Sequence, residues 1–383
     1  MDNLTHTLVG LVAAKAGLER VSPYATAVCV LAANGPDADI LAALGGHWFY
    51  LEHHRGVTHS LVGTLALSLL IPLLFYAADR VLARLRRRPP RGVRLGGLFV
   101  ASLLLSASHP LLDWTNNYGV RPWLPWNGRW YYGDLVFIVD PWLWLSLGGA
   151  AFLLASRKKW QVVVWALLAL ALSVAFFILP ARSGMPFPFV SQALWLAGVI
   201  GLFAAWRFGM GKRFGQKLAA AALALVVAYW GGLWLLQARA ESHAREVAAA
   251  AVGRAGETLR RIAAMPTLAD PLNWVTVAET ERAYYRFNTS ALSRERTVDG
   301  WHRAERFPKP QGVDAERAAA AAEDWRTQIF LAFSRFPATR VTADCAGATL
   351  VQFADLRFTA PGRARGGGSG FQVEITLPQG GGE

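Results

Sequence analysis

The chain has 383 residues, 54% of them hydrophobic and only 17% charged, with 16 Trp, a balance too apolar for an ordinary soluble protein. Its formal net charge of +13 would raise nucleic acid as a partner, but the excess lies in one half: Met1–Arg239 carries 21 Lys/Arg against 9 Asp/Glu, and Ala240–Glu383 carries 18 against 17. Basic loops of a membrane domain account for that bias, so no nucleic acid partner is expected, and two cysteines far apart, Cys29 and Cys345, exclude a disulfide framework.

The chain begins with two short apolar pieces, about Leu4 to Leu18 and Pro23 to Ala33, joined at Glu19, Arg20 and Ser22. Their length predicts a helical hairpin that buries against other helices or re-enters the membrane. No basic leader with a small-residue cleavage site is expected to be removed. Six longer apolar stretches follow: His59 to Leu82, Gly96 to Asp113, Pro141 to Ser156, Trp160 to Pro180, Phe189 to Trp206 and Leu218 to Leu236. Most approach the roughly 20 residues that cross a hydrocarbon core, which predicts six spans.

The loops set an orientation. Arg84, Arg86, Arg87, Arg88, Arg91 and Arg94 separate the first two long stretches; Arg157, Lys158 and Lys159 follow the third; Arg207, Lys212, Arg213 and Lys217 follow the fifth. These loops alternate with poorly charged ones, so the basic ends are expected in the cytoplasm and the C-terminal part outside the cell membrane. From Ala240 a helix-like stretch leads into strand-like runs at Trp274 to Ala278, Tyr284 to Asn288, Thr349 to Phe353 and Phe371 to Leu377. The expected architecture is mainly α, a polytopic transmembrane helical bundle over residues 1–239, with a small extramembrane α+β domain over 240–383. The Gly-rich stretch Gly362 to Gly370 is expected to be a turn.

Six of the eight histidines precede Pro110: His6, His47, His53, His54, His59 and His109. Carboxylates lie beside or after them at Asp37, Asp39, Glu52, Asp113, Asp134 and Asp140. Such groups are costly in a bilayer, so their concentration at helix ends points to function. Four patterns carry the candidates: Asn3-Leu4-Thr5-His6-Thr7, Asn34-Gly35-Pro36-Asp37-Ala38-Asp39, His54-Arg55-Gly56-Val57-Thr58-His59-Ser60 and Ser108-His109-Pro110-Leu111-Leu112-Asp113. His109 and Asp113, four apart on a helix, share a face. His59 opens one long stretch and Asp113 closes the next, so both belong at the same membrane edge, and a hairpin turning near Arg20 returns His6 and Asp37 to it.

The bland alternatives are capping or interfacial roles for His6, a Pro-Asp turn for Asp37 and Asp39, and an aromatic belt for the Trp/Tyr-rich stretch from Asp113 to Trp142. His47 and His53 read as loop residues, and His243 and His302 as surface residues. Asp134 and Asp140 do not fit a belt and read as outer carboxylates that orient histidines or as additional site residues. The expected metal ligands are His6, Asp37, Asp39, His54, His59, His109, Asp113 and Asp140. His54, Arg55, His59 and Asp134 are the candidate catalytic groups. A mixed His/carboxylate set suits Zn²⁺, with Mn²⁺ or Fe²⁺ as alternatives, rather than Ca²⁺, and such ions promote hydrolysis by acidifying water. Arg55 would pair with a phosphate oxygen.

The motifs Thr5-His6, Pro36-Asp37-Ala38-Asp39, His54 to Ser60, His109 to Asp113, Tyr132-Gly133-Asp134 and Asp140-Pro141 resemble those of the bacterial and archaeal LexA-regulated, membrane-bound metal-dependent hydrolases. The likeness covers about residues 1 to 142 and implies membrane location and metal-dependent hydrolysis. The spacing is also similar to that of zinc-dependent phospholipases C and nucleases, although the N-terminal Trp ligand used there is missing. The expected activity is hydrolysis of a phosphoester or lipid-linked substrate at the extracytoplasmic face. The rival readings are a metal-handling transporter and a non-catalytic scaffold built around the C-terminal domain. No oligomeric state follows from the sequence.

Overall fold

The computed structural model describes residues 1–183, 187–293, 301, 303–343, 348–362 and 371–377. Cys345, His302 and positions 363–370 of the Gly-rich stretch lie outside them. The described chain divides into two compact units: Met1–Asp39, Arg55–Trp234 and Thr267–Pro271 form one, and Ile40–His54, Leu235–Pro266 and Leu272–Glu383 the other.

The first unit is helical. Helix α1 (Asn3–Lys15) is capped by Asp2, whose carboxylate accepts the Thr5 N–H, and α2 (Ala25–Asn34) packs against it. The pair forms the expected hairpin, with a 3₁₀ turn at Leu18–Arg20. Gly10 makes the contact close: a Cβ there would stand 2.7 Å from the Cys29 carbonyl oxygen. Gly10→Val is therefore expected to force the two helices apart and cost about 1–3 kcal/mol, read as a lower melting temperature in detergent. An unchanged melting temperature would show that the contact is slack.

Beyond α2 the chain continues as a 3₁₀ helix, Gly35–Gly45, and then α3 (His47–His53). Ser60 caps α4 (Leu61–Leu85), and α5 (Leu95–Trp114) continues through Pro110 without a break. A loop then folds back onto the end of α5, the Gly133 N–H donating to the Trp114 carbonyl and the Leu135 N–H to that of Thr115. Asp140 caps α6 (Pro141–Leu143), which passes through a π turn at Trp144–Gly148 into α7 (Gly149–Ala155). The unit is completed by α8 (Lys159–Ser183), α9 (Phe189–Arg207), α10 (Met210–Phe214) and the start of α11 (Gln216–Arg254).

Among the described residues, six helical segments are long and apolar enough to cross a bilayer, but they are not the six read from the sequence. Ala25–Gly45 qualifies, whereas Pro141–Ala155 is too short. The reason is local: Asp140 fixes where that helix starts, and the backbone N–H groups of Arg157 and Lys158 turn to the Gln161 side chain just after it ends. Apolar side chains such as Leu65, Leu69, Val163, Leu167, Leu194 and Ile200 face outward on these helices, a surface that only lipid covers without penalty.

All three basic loops lie at one end of the unit, and the turn of the α1–α2 hairpin joins them. Arg94 donates to the Arg20 carbonyl and, through its backbone N–H, to Ser22 Oγ, while the Gln216 side chain bonds the Ala16 carbonyl. The open ends of the hairpin, with His6 and Asp37, are thereby returned to the opposite end.

The second unit contains two antiparallel sheets. One has strand order β1-β2-β3-β4 (Leu259–Thr267, Asp270–Thr280, Ala283–Ser290, Glu305–Pro308) and the other β5-β6-β7 (Pro337–Ala343, Thr349–Asp355, Gln372–Leu377). Helices α12 (Val313–Ala322) and α13 (Trp325–Phe333) pack against the second sheet, and α3 against α13. His47 and His53 thus sit on a short helix rather than in a loop. Trp274, Phe330 and Phe336 are its largest fully buried side chains.

A buried ion pair joins Asp355 to Arg357 at 2.7 Å. Burial pushes the Asp355 carboxyl up, but Arg357 and the backbone N–H groups of Arg357 and Arg335 outweigh it and hold the carboxyl below its ordinary range. Because the folded value is depressed, the pair's contribution is complete above the ordinary value of about 3.9 and is lost as pH falls through the lower, folded one. Asp355→Asn is expected to cost about 3–5 kcal/mol at neutral pH by stranding Arg357 and to flatten the acid limb of a stability–pH curve. A variant with an unaltered acid limb would remove Asp355 from the acid response.

Candidate metal centre

Three chain segments bring four donor atoms together: Asp37 Oδ1 from the 3₁₀ helix, His59 Nε2 from the turn before α4, and His109 Nε2 and Asp113 Oδ2 from α5. The i,i+4 spacing on α5 places His109 and Asp113 on one face, as periodicity requires. All but Asp37 are fully buried.

The four donor atoms all lie within 4.8 Å of one another, and the five separations that involve a histidine match those of a coordination polyhedron. His59 Nε2 lies 3.1 Å from His109 Nε2, 3.4 Å from Asp37 Oδ1 and 3.3 Å from Asp113 Oδ2. His109 Nε2 lies 3.3 Å from Asp37 Oδ1 and 3.6 Å from Asp113 Oδ2. Ligands about 2.0–2.1 Å from a tetrahedral ion stand about 3.3–3.4 Å apart. Two nitrogens and two carboxylate oxygens match the donor preference of Zn²⁺, Mn²⁺ or Fe²⁺.

The tautomers point the same way. His109 Nδ1 lies 2.6 Å from the Ala33 carbonyl oxygen, an acceptor that requires a proton on Nδ1. Asp39 Oδ2 lies 3.2 Å from His59 Nδ1. With both Nδ1 positions bonded outward, the two Nε2 atoms face each other inside the cluster, an arrangement that an ion between them satisfies. Asp113 Oδ2 accepts no hydrogen bond, a buried acceptor left open. The residues therefore fit a divalent ion.

Asp39 differs from Asp37 in position. It stands on the Nδ1 side of His59 and also accepts the backbone N–H of Arg55 at 2.7 Å, so it orients the ring from outside the four-donor cluster. The two carboxylates are separated because the 3₁₀ turn sends residues two apart in different directions. His6, fully buried, stacks on His109 at 3.7 Å with its Nε2 3.4 Å from Asp113 Oδ1, and neither of its ring nitrogens makes a hydrogen bond.

Arg55 is committed to the protein. Its backbone is in the left-handed region (φ 51°) and the side chain is buried. One terminal nitrogen donates to Asn116 Oδ1, the Gly119 carbonyl and the Asp113 carbonyl, and the other to Asp113 Oδ1 at 2.9 Å. Tyr118 lies beneath the guanidinium, 4.7 Å away. The Met1 amino group donates to the same Asp113 oxygen. Arg55 thus fixes Asp113 so that Oδ2 faces the histidines, a different task from the expected grip on phosphate.

His54 belongs to the second unit, where its ring stacks on Tyr50 at 4.6 Å. Asp140 caps α6 through the Trp142 and Leu143 N–H groups and accepts the Tyr229 hydroxyl. Asp134 is buried at a left-handed backbone position, φ 53°, in the loop that returns to the end of α5. Sequence reasoning missed Asn116, which holds Arg55, Asn3, which donates to Asp37 Oδ2, and the Thr7–Asn34 bond that ties α1 to α2. All lie within motifs already singled out, but as neighbours of the acids and histidines rather than as candidates.

Residues 1–182 match the model of a family described as YdjM inner membrane protein. The uncharacterized protein YfhP of Bacillus subtilis (strain 168) is 28% identical over 156 residues, which take in 38% of this chain and 44% of that protein. The chain thus matches under half of that relative's length. No solved structure matches. The similarity to YdjM inner membrane proteins therefore takes in every residue of the four-donor cluster, and residues 183–383 lie outside it.

Proposed function

We propose that the chain is a multi-pass membrane hydrolase that uses one divalent ion, Zn²⁺ first among the candidates, to cleave a phosphoester at the extracytoplasmic face. The observation that carries this reading is four donor atoms all within 4.8 Å of one another, with each histidine 3.1–3.6 Å from the other three donors and anchored through Nδ1. When bound, such an ion acidifies water and stabilises negative charge on a phosphoryl group. The protein's own residues hold it: Asp37, His59, His109 and Asp113 as donors, His6 as the remaining imidazole beside them, and Asp39 and Arg55 as the groups that orient His59 and Asp113. In the reaction water adds to phosphorus, the ester P–O bond breaks, and a proton passes to the departing alkoxide. The end opposite the basic loops is extracytoplasmic by the positive-inside rule, and the C-terminal domain follows an even number of further crossings and is extracytoplasmic by the same rule.

Purified full-length protein is expected to contain stoichiometric metal and to hydrolyse phosphate esters or phospholipids in a manner abolished by EDTA and restored by Zn²⁺ or Mn²⁺. Asp39→Ala is expected to weaken metal binding by about 10–100-fold, the usual effect of losing an outer carboxylate. Metal-containing protein inert towards every ester tested would leave an ion site without a hydrolase.

One observation favours a second reading, passage of an ion. Ser102 and Ser106 continue the His109–Asp113 face of α5 and are buried without hydrogen bonds, as is Thr64 of α4. Metal-dependent flux into liposomes, lost in a Ser102→Val/Ser106→Val variant, would establish it over hydrolysis.

A further inference from the structure

The first unit contains a narrow apolar groove walled by α1, the π turn with α7, α8 and α9. We propose that it holds the hydrocarbon chain of an amphiphilic phosphoester, with the phosphate end directed towards the metal centre. The proposal rests on the hydrolase reading and names its substrate class.

The groove is shaped for one chain. Its walls run from Trp144 to Phe152, from Trp165 to Leu172 and from Trp195 to Phe203. At 1.5 Å per residue each wall is about 11–12 Å long and lies along helix axes, the direction a lipid chain takes. Aromatic rings flank both ends. Phe152 meets Trp165 and Phe203 at centroid distances of 6.2 and 5.2 Å, and at the other end Phe176 meets Trp144 and Trp195 at 5.2 and 4.9 Å.

Two features determine the occupant. The side chains that line the groove are apolar apart from the indole N–H groups, so a polar ligand would lose its solvation there. Its α8 and α9 walls are continuous with the outward faces bearing Val163, Leu167, Leu194 and Ile200, which on helices of membrane length face lipid. A chain can therefore enter sideways from the bilayer.

The polarity of binding follows from Trp144. This residue lines the groove, yet its indole N–H lies 3.2 Å from Asp2 Oδ1 and 3.0 Å from Thr5 Oγ1. Their neighbours are Met1, which donates to Asp113, and His6, which stacks on His109. Leu4 and Leu8 face the groove from the same helix. Only α1 and its first residues separate the Trp144 end from the donor cluster, a helix-width of about 10 Å. Gly148 borders the groove, where a Cβ would meet only Leu8, at 3.6 Å, whereas Gly149 packs closely on Leu202, 2.5 Å from where its Cβ would stand.

The test uses full-length protein in detergent micelles and decyl phosphate, whose extended chain matches the length of the walls, with a diazirine at the terminal carbon or next to the phosphate. After irradiation, the terminal probe is expected to label the peptides carrying Phe152, Trp165 and Phe203, and the proximal probe those carrying Trp144 and Trp195. Ala169→Phe and Gly148→Val, which place side chains in the groove by different routes, are each expected to reduce labelling about tenfold. Leu167→Phe, on the outward face of α8, should leave it unchanged. Labelling spread evenly over the outward faces, or insensitive to both groove variants, would mean annular lipid and overturn the proposal. Labelling needs no metal, so groove labelling in a protein that cleaves no phosphoester upholds the chain site and refutes the hydrolase instead.

Discussion

Full-length protein carrying His59→Ala or Asp113→Ala is expected to purify without its divalent ion and without hydrolytic activity. Each substitution removes one of four donors, and the loss should exceed the roughly 10–100-fold that follows removal of an outer partner. His59→Ala also leaves Asp37, Asp39 and Asp113 without the imidazole that now lies between them. Metal analysis is the primary readout because it does not depend on knowing the substrate. Unchanged metal content in both variants would defeat the metal centre, and with it the hydrolase.

Substitution of Arg55 should be almost as damaging, but by another route. Arg55→Leu leaves Asp113 buried with only the Met1 amino group as a cationic partner and strips the hydrogen bonds to Asn116 and Gly119, a loss of about 3–5 kcal/mol for a broken buried pair. It should appear as a lower melting temperature even in metal-free protein. Arg55→Lys keeps the charge but not the planar fork that serves several acceptors at once, so metal affinity should fall while much of the stability is retained. If Arg55 instead gripped substrate phosphate, Arg55→Lys would reduce kcat/KM at full metal occupancy. That result would return the residue to the role its place beside His54 first implied.

The cluster was legible in the sequence to the extent that spacing dictates geometry. His109 and Asp113 had to share a helical face, and alternation of basic loops had to bring His59 to the same end. Between Asp37 and Asp39 the sequence could not choose, because a 3₁₀ turn rather than an α-helix or strand decides which carboxylate meets Nε2 and which meets Nδ1. His54 and His59 look equivalent in His-Arg-Gly-Val-Thr-His. They are separated by the left-handed turn at Arg55, a conformation uncommon for arginine and invisible to pattern reading.

The larger architecture shows a similar division. Hydropathy located α4, α5, α8, α9 and α11, whose apolar runs are long. It overcounted the segment after Pro141 because a run of apolar residues does not reveal that Asp140 and Gln161 clip its ends. In the second unit, β2, β3, β6 and β7 carry the β-branched and aromatic residues that announce strands. Strand β1 does not: Leu-Arg-Arg-Ile-Ala-Ala-Met-Pro-Thr is poor in them and becomes a strand through pairing and burial.

The donors come from residues 37, 59, 109 and 113, and this spread dictates an order of events during synthesis. A nascent chain that has emerged only as far as the basic loop after α4 owns two donors at most. The full grip exists only once α5 has been threaded and returned its far end to the first helices. An ion bound by all four donors would therefore be captured late, fastening Asp37, His59 and α5 to one another only after α5 is in place.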